Sequence, residues 1–218
     1  CQAVCRYEAV MEADGTYTID PVACEGCAAC FYVCPVDAIA MDDTLDGHWF
    51  RSQTRFGTLL HARLSVGAEN SGKMVSLLRQ QALESAHEQR ADWTIIDGAP
   101  GIGCPVIAAV SGANYALVVS EPTVSGAHDL ERALQICEHF RVPAAVCINK
   151  ADINPTMTAE IGARCAEQGV PVLAAIPYDR AVIAAMEQGL AVTELADNAV
   201  SRELCVLWEA LSRALAQG

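Results

Sequence analysis

Four cysteines near the start of the sequence have a spacing that is typical of iron-sulfur ligation. They are Cys24, Cys27, Cys30 and Cys34, followed by Pro35, and they form the pattern C-x2-C-x2-C-x3-C-P. Three thiolates separated by two residues each can surround one iron cube within a single turn, and the fourth then points toward a second cluster. The spacing therefore predicts that this segment binds a 4Fe-4S cluster.

A structural zinc site and a disulfide framework are the other chemistries open to these thiols. Zinc sites usually consist of two ligand pairs separated by about a dozen or more residues, because one short turn cannot easily close a tetrahedron. Disulfides are disfavoured because the remaining cysteines lie singly in apolar surroundings. Both alternatives are less consistent with the spacing than an iron-sulfur cluster.

The first ten residues repeat part of this motif. Residues 1–10 (CQAVCRYEAV) align with residues 30–39 (CFYVCPVDAI), with coincident cysteines, a valine, an acidic residue and an alanine. Arg6 departs from the repeat, since the second copy has Pro35 at that place. Two such repeats form the two-cluster bacterial ferredoxin, which this segment resembles and in which each cluster takes its fourth cysteine from the other repeat.

The ferredoxin resemblance implies one complete 4Fe-4S site and part of a second. The complete site is formed by Cys5, Cys24, Cys27 and Cys30, whereas Cys34 and Cys1 belong to a second cluster with two further cysteines upstream of residue 1. Because the chain opens inside a motif and without a starting Met, we expect it to be N-terminally truncated. The alternative is a one-cluster protein in which Cys1 is not a ligand.

Composition and charge limit the classes of function. Of 218 residues, 52% are apolar and the mean hydropathy is +0.24, which is enough apolar material for a buried core. The 14 basic and 27 acidic residues give a net charge of −13, which disfavours nucleic-acid binding. The sequence has no apolar run of about 18 residues, so no membrane span is expected. Together with the cysteine motif, these features predict a cytoplasmic protein.

The cysteine segment and the rest of the chain have different patterns. Residues 1–46 are predicted to form a partial ferredoxin module of small α+β type, and residues 47–218 an α/β nucleotide-binding domain that opens with a hairpin turning at Gly57. Strands are predicted at 92–97, 115–119, 143–148 and 170–176, and helices at 126–140, 156–168, 180–188 and 199–216. This alternation predicts a doubly wound, mostly parallel sheet with ligands at the carboxyl ends of its strands.

Polar residues follow all four predicted strands, and two of these groups have the form of a nucleotide site. Asp97 precedes Gly98, Pro100 and Gly101, which is the form of a Walker B acid leading into a switch loop. Its carboxylate would hold Mg²⁺ or a bound water, and the glycines would let the backbone approach a γ-phosphate. A strand-terminal aspartate that caps the next turn is the alternative interpretation of Asp97.

A second polar group follows the strand predicted at 143–148. Asn149, Lys150 and Asp152 match the pattern N-K-x-D, in which the amide and the carboxylate bind a nucleotide base and the lysine stem packs on the ring. An Asx-rich turn is the alternative interpretation. The two groups together favour a nucleotide site.

Residues 67–74 (GAENSGKM) match the phosphate-loop pattern G-x4-G-K. Met74 stands where a hydroxyl should reach Mg²⁺, and the charge of Glu69 would repel phosphate. We therefore predict that Asn70 or Ser71 caps a helix here, and that the segment is not a phosphate cradle.

The α/β part resembles the MinD/ParA-type P-loop ATPases that carry an inserted ferredoxin domain. The resemblance rests on five stretches, at residues 67–75, 92–110, 120–130, 148–154 and 176–179. In that family a strand and a deviant Walker A loop precede the ferredoxin insert. The resemblance therefore implies a P-loop NTPase-like fold that lacks its first strand and phosphate loop in these residues.

The resemblance also implies a function and its residues. It implies ATP and Mg²⁺ bound across a homodimer, with Asp97 at the metal and Asn149, Pro177 and Asp179 near the adenine. The nucleotide state would control electron transfer or cluster delivery to a redox or iron-sulfur acceptor protein. Hydrolysis by residues 1–218 alone is not expected without the phosphate loop. The alternative is a ferredoxin-type electron carrier in which the α/β part is a scaffold.

Five cysteines lie outside the motif. Cys137, Cys147, Cys165 and Cys205 occupy apolar strand or helix positions and are predicted core residues. Cys104 follows the switch loop, where a cysteine could bridge a cluster shared by two subunits, although that role requires a second cysteine from each subunit.

Overall fold

The structure is a computed structural model, and it describes residues 1–42, 45, 47–65, 68, 72–195 and 198–216. The chain divides into two compact units, residues 1–70 and 71–218. The predicted hairpin thus lies in the first unit. A boundary after residue 46, between a ferredoxin module and a nucleotide-binding domain, stays a prediction. Within the described residues, no helix is long and apolar enough to cross a membrane.

The first unit consists of short elements and one long hairpin. A 3-10 turn at Gln2–Val4 precedes the antiparallel strands β1 (Val10–Ala13) and β2 (Thr16–Ile19), and helix α1 (Ala29–Tyr32) follows. The hairpin pairs β3 (Gly47–Thr54) with β4 (Gly57–Leu64), from Gly47 opposite Leu64 to Thr54 opposite Gly57. Gly57 begins β4 with a φ of 122°, a conformation that glycine adopts readily, and the predicted hairpin is confirmed.

The second unit alternates helices and strands. Its elements are α2 (Lys73–Gln89), α3 (Cys104–Val110), β5 (Ala116–Ser120), α4 (Val124–His139), β6 (Ala144–Asn149), α5 (Pro155–Glu167), β7 (Val172–Ile176), α6 (Ala181–Glu187), a 3-10 turn at Val192–Glu194, and α7 (Ala199–Ala216). The strands form a parallel sheet in the order β5-β6-β7.

Strand β6 lies at the centre of this sheet and is buried on both faces. Val146 and Ile148 pack with residues of α4 and α5, such as Leu130 and Ile161. Cys147 points to the opposite face, in a cluster that includes Leu207 of α7. This explains why the β6 sequence is continuously apolar, since a central parallel strand has no solvent-facing side. The predicted doubly wound α/β fold is confirmed.

One predicted strand is wrong. Residues 92–97 form no strand in the described part of the chain, and their apolar side chains are largely exposed, with Ile95 at 81%. A strand requires a hydrogen-bonded neighbour, and apolar periodicity cannot report whether one is present. The parallel sheet consists of β5, β6 and β7 and does not include residues 92–97.

Helix α2 begins later than the predicted cap. Its N-terminal flanking residue is Gly72, whose φ of 87° is left-handed. The predicted caps, Asn70 and Ser71, lie outside the described residues. A Cβ at Gly72 would lie 2.9 Å from the Cys104 carbonyl oxygen, so glycine allows the start of α2 to pack closely against the start of α3.

The cysteines outside the motif differ in burial. Cys137, Cys147 and Cys165 are buried, which confirms their predicted place in the core. Cys205 is exposed although it lies on α7, so its prediction as a core residue is wrong. Helix α7 buries Val200 and Leu207, and Cys205 falls on the side of the helix away from them.

We expect the second unit to lose stability in mild alkali because of its buried thiols. Burial raises the pKa of Cys147 to about 11, and burial also raises the pKa of Cys137 and Cys165. Unfolded thiols lose their protons near pH ~8.5, so above that pH the unfolded state binds fewer protons and is favoured. The free energy of unfolding should fall by about 1–3 kcal/mol as the pH approaches 11.

Urea denaturation at several pH values between neutral and alkaline measures the slope with which the free energy of unfolding falls as the pH rises. Cys147→Ala should reduce the slope, whereas Cys205→Ala, which changes an exposed thiol, should leave it as in the parent chain. An unchanged slope in Cys147→Ala would contradict the assignment of alkaline instability to this thiol.

Candidate functional site

The six cysteines of the predicted cluster region are accessible to a ligand. Cys24 and Cys27 are exposed, and the other four are half-buried, namely Cys1, Cys5, Cys30 and Cys34. Cys1 and Cys5 flank the 3-10 turn, and Cys30 lies in α1. None of these thiols is buried in the apolar core, so iron can reach them.

The internal repeat is reproduced in the backbone. Glu8 has a φ of 54° and Asp37 a φ of 51°, and each lies three residues after the last cysteine of its repeat. Left-handed backbone is uncommon outside glycine. Its occurrence at matching places indicates that both repeats form the same turn.

These turns direct backbone N–H groups at two thiols. The N–H of Ala38 donates to Cys34 Sγ at 3.2 Å. Backbone hydrogen bonds, first from Tyr7 at Cys5 and from Val36 at Cys34, lower the pKa of both thiols. Because iron binds the thiolate, these hydrogen bonds favour the form of the cysteine that is a ligand.

The cysteine motif itself contains two further left-handed residues. Gly26 and Ala28 both have a φ of 61°, between Cys24 and Cys30. No atom lies within 4 Å of a Cβ built at Gly26, so glycine is present there for its backbone conformation and not for space. These residues turn the chain repeatedly within the motif, as wrapping around a compact cluster requires.

The residue types and the spacing of these cysteines match an iron-sulfur cluster. All of them are accessible thiols, and two of them have backbone N–H donors. Among the residues that the structure describes, no three His, Cys, Asp or Glu side chains are grouped as metal ligands. The ligand assignment of Cys5, Cys24, Cys27 and Cys30 therefore stays a prediction from the motif.

A second group of polar side chains lies at the carboxyl edge of the parallel sheet. Lys150, just after β6, has its Nζ 2.6 Å from Glu121 Oε1, just after β5. Both side chains are partly exposed, at 38% and 45%, so the ion pair contributes about 0–1 kcal/mol. The packing of the Lys150 stem on a base stays a prediction, and it involves a side chain that is already held in this ion pair.

The end of β7 joins the same edge through Asp152. Its Oδ1 accepts a hydrogen bond of 2.6 Å from the Tyr178 N–H. Asp179 Oδ1 accepts from the Ala181 N–H at 2.8 Å, which fixes the entry to α6, and Pro177 is half-buried beside them. Asn149 Oδ1 accepts from the Lys150 N–H, and Lys150 has a left-handed φ of 54°. The predicted residues Asn149, Lys150, Pro177 and Asp179 thus belong to adjacent strand ends.

Asp97 lies in an exposed segment that leads to α3. Gly98 packs near Ala109, and Gly101 has a φ of 87°, which favours glycine. Gly103 precedes α3 and its carbonyl accepts from the Val106 N–H. The switch-loop role of Gly98, Pro100 and Gly101 and the metal role of Asp97 stay predictions.

Two contacts at this edge were not predicted from the sequence. Glu121 pairs with Lys150, and the Tyr178 N–H occupies the carboxylate that the N-K-x-D pattern assigns to a base. Their positions directly after β5 and β7 were the available signal, because strand ends of one parallel sheet meet at one edge. The pairing itself depends on distances that spacing does not give.

Comparisons with known proteins support both parts of the chain. Residues 17–40 match the family described as 4Fe-4S binding domain. The chain is 34% identical over 154 residues to the uncharacterized protein MJ0578 of Methanocaldococcus jannaschii, which covers 71% of this chain and 52% of MJ0578. It is 41% identical over 49 residues to the Ferredoxin 7Fe of Hydrogenibacillus schlegelii, covering 22% of this chain and 63% of the ferredoxin.

The fold is similar to that of the cell division ATPase MinD of Pyrococcus furiosus. The TM-score is 0.54 at 18% identity, with 68% of this chain and 60% of the MinD chain covered. The chain spans about half the length of the archaeal relatives that it matches. The predicted resemblance is confirmed: the chain is similar to MJ0578, and it carries a 4Fe-4S binding domain motif followed by an α/β unit whose fold is similar to that of MinD.

Proposed function

We propose that the chain is part of an ATP-binding iron-sulfur protein in which the nucleotide state controls electron transfer or cluster delivery. The observation that carries this proposal is the joining, in one chain, of a 4Fe-4S binding motif to a MinD-type fold with polar residues at its strand ends. The cluster would carry the electron or would itself be delivered, and a conformational change between nucleotide states would control this transfer.

In the first unit, the ligands of the complete cluster are proposed to be Cys5, Cys24, Cys27 and Cys30. Backbone N–H groups after Cys5 lower the pKa of its thiol, and the equivalent groups after Cys34 do so for a ligand of a second cluster shared with Cys1, which favours the thiolate that binds iron. When bound, the cluster would accept and release one electron. Because reducing conditions keep cysteine ligands from forming disulfides, the cytoplasm is the proposed location.

In the second unit, Asp97 is proposed to hold Mg²⁺. The backbone of Gly98, Pro100 and Gly101 is proposed to approach the γ-phosphate and to move when it leaves. The adenine side of the site is proposed to consist of Asn149, Lys150, Pro177 and Asp179. The intact protein would act as a homodimer that exchanges electrons or clusters with an acceptor protein. Base binding would separate Lys150 from Glu121, because the two side chains pair at the sheet edge where the base is proposed to bind.

Transfer assays with the intact protein that contains these residues test the proposal. The protein, anaerobically reconstituted and reduced, is mixed with oxidised ferredoxin as electron acceptor or with cluster-free ferredoxin as cluster acceptor, with MgATP, MgADP or no nucleotide. We expect MgATP to change the transfer rate. Loss of iron from the donor would identify cluster delivery, whereas a redox change at constant iron would identify electron transfer.

Two aspartates of the same segment provide matched variants. Asp97→Asn should abolish the nucleotide effect at unchanged iron content, and Asp92→Asn, also exposed, should retain it. A transfer rate that nucleotides do not change in the parent protein would contradict the proposal. It would instead favour an electron carrier in which the α/β unit is a scaffold.

A further inference from the structure

Helix α2 contacts both ends of α3. At the start of α3, a Cβ built at Gly72 would lie 2.9 Å from the Cys104 carbonyl oxygen. At the end of α3, Arg79 Nη1 donates hydrogen bonds to the carbonyl oxygens of Ala108, at 2.6 Å, and of Ser111. The short helix α3 is therefore attached to α2 at two places.

Arg79 binds carbonyl groups that a helix end leaves without helical partners. The last C=O groups of a helix have no N–H in a following turn, and a cation at this end also interacts favourably with the helix dipole. Ala108 lies in the last turn of α3, and Ser111 directly follows the helix. Arg79 thus ties the end of α3 to α2 through charge-assisted hydrogen bonds.

The attachment through Arg79 is not fully satisfied. Arg79 Nε is buried, and in the described part of the chain it has no hydrogen-bond partner. A buried N–H without a partner is energetically costly, so a movement of α3 that brings a carbonyl oxygen to Nε would be favoured. This N–H is a donor through which Arg79 can stay attached to α3 when the helix shifts.

The two helices begin at places that matter for the proposed function. Helix α3 directly follows the segment of Asp97, Gly98 and Gly101, and Gly98 packs near Ala109 of α3. Helix α2 is the first element after the boundary between the unit with the cysteine motif and the second unit. A movement that begins in residues 97–101 would therefore reach α3 first and α2 next.

We propose that Arg79 is a positioning residue that makes α2 move with α3 when the bound nucleotide changes. This inference rests on the proposed function, in which residues 97–101 respond to the γ-phosphate. The movement would arrive at Gly72, where the chain from the unit with the cysteine motif enters α2. Packed helices shift between discrete arrangements, so a side chain that ties two helices together can decide whether they move as a pair.

Hydrogen exchange of the intact protein that contains these residues tests this coupling. The anaerobically reconstituted protein is compared with MgATP and with MgADP, and the exchange rates of residues 97–110 and 72–80 are measured separately. In the parent protein, both segments should differ at least about threefold between the two nucleotides. In Arg79→Met, which retains an apolar stem, residues 97–110 should keep this difference and residues 72–80 should lose it.

Two further variants separate coupling from simple stabilisation of α3. Arg79→Lys should retain most of the difference in residues 72–80, because an ammonium group also donates to carbonyl oxygens. Arg164→Met, which removes an exposed arginine from α5, should change neither difference. Iron content and nucleotide affinity should stay within about twofold of the parent in every variant, since none of these arginines is a proposed ligand of cluster or nucleotide.

Two results would overturn the proposal and leave the proposed function intact. They are a nucleotide difference in residues 97–110 of the parent without one in residues 72–80, and an undiminished difference in residues 72–80 of Arg79→Met. The first of them needs no variant, so it applies even if Arg79→Met does not fold. The absence of any difference in residues 97–110 of the parent would contradict the proposed function itself, and the coupling with it.

Discussion

Gly126→Ala is expected to destabilise the second unit by about 3 kcal/mol, since no space exists for the added methyl group. A Cβ at this residue would lie 2.3 Å from the Glu121 carbonyl oxygen and 3.0 Å from Thr123 Oγ1. Ser120 Oγ donates to the Gly126 carbonyl, and Thr123 Oγ1 accepts from the Gly126 N–H. The substitution would therefore separate β5 from the start of α4.

Equilibrium denaturation of the purified chain measures this effect. Gly162→Ala is the matched control, because Gly162 lies inside α5 and a Cβ there would meet no atom within 4 Å. That substitution should stabilise the chain by about 0.5–1 kcal/mol through helix propensity. Equal stability of Gly126→Ala and the parent chain would contradict the close packing between β5 and α4.

Cys5→Ser is expected to remove the cluster, although Cys5 lies far in sequence from the other three ligands. The matching turns after Cys5 and Cys34 indicate that each cysteine occupies an equivalent place in its repeat. In a two-repeat arrangement the fourth ligand comes from the opposite repeat, so Cys34→Ser should retain about four irons per chain while Cys5→Ser retains almost none.

Iron and acid-labile sulfide assays after anaerobic reconstitution compare these variants. Cys205→Ser serves as the control, since Cys205 is an exposed thiol of α7 outside the motif. The opposite pattern, in which Cys34→Ser loses the cluster and Cys5→Ser keeps it, would show that one repeat supplies all four ligands.

The sequence predicted those features that depend on spacing and periodicity. The hairpin turning near Gly57 and the apolar strand of β6 both follow from patterns with an unambiguous period. The internal repeat predicted equivalent surroundings for Cys5 and Cys34, and the left-handed Glu8 and Asp37 agree with it. In the hairpin and in the repeat, the residues that determine the conformation lie close together in sequence.

Features that depend on partners distant in sequence were not predictable in this way. Residues 92–97 are apolar like a strand but have no strand partner in the described chain, and Cys205 lies on the exposed side of an otherwise packed helix. Likewise, the N-K-x-D pattern gave no sign that Asp152 accepts the Tyr178 N–H. Three-dimensional proximity decides these interactions, and motif spacing does not encode it.

Iron and sulfide quantitation of the parent chain, combined with EPR after reduction, tests the central claim most directly. Anaerobic reconstitution should yield about four irons and four sulfides per chain and an S = 1/2 signal on reduction. Zinc in place of iron, or a chain that retains no metal, would contradict the assignment of residues 17–40 and Cys5 to an iron-sulfur site.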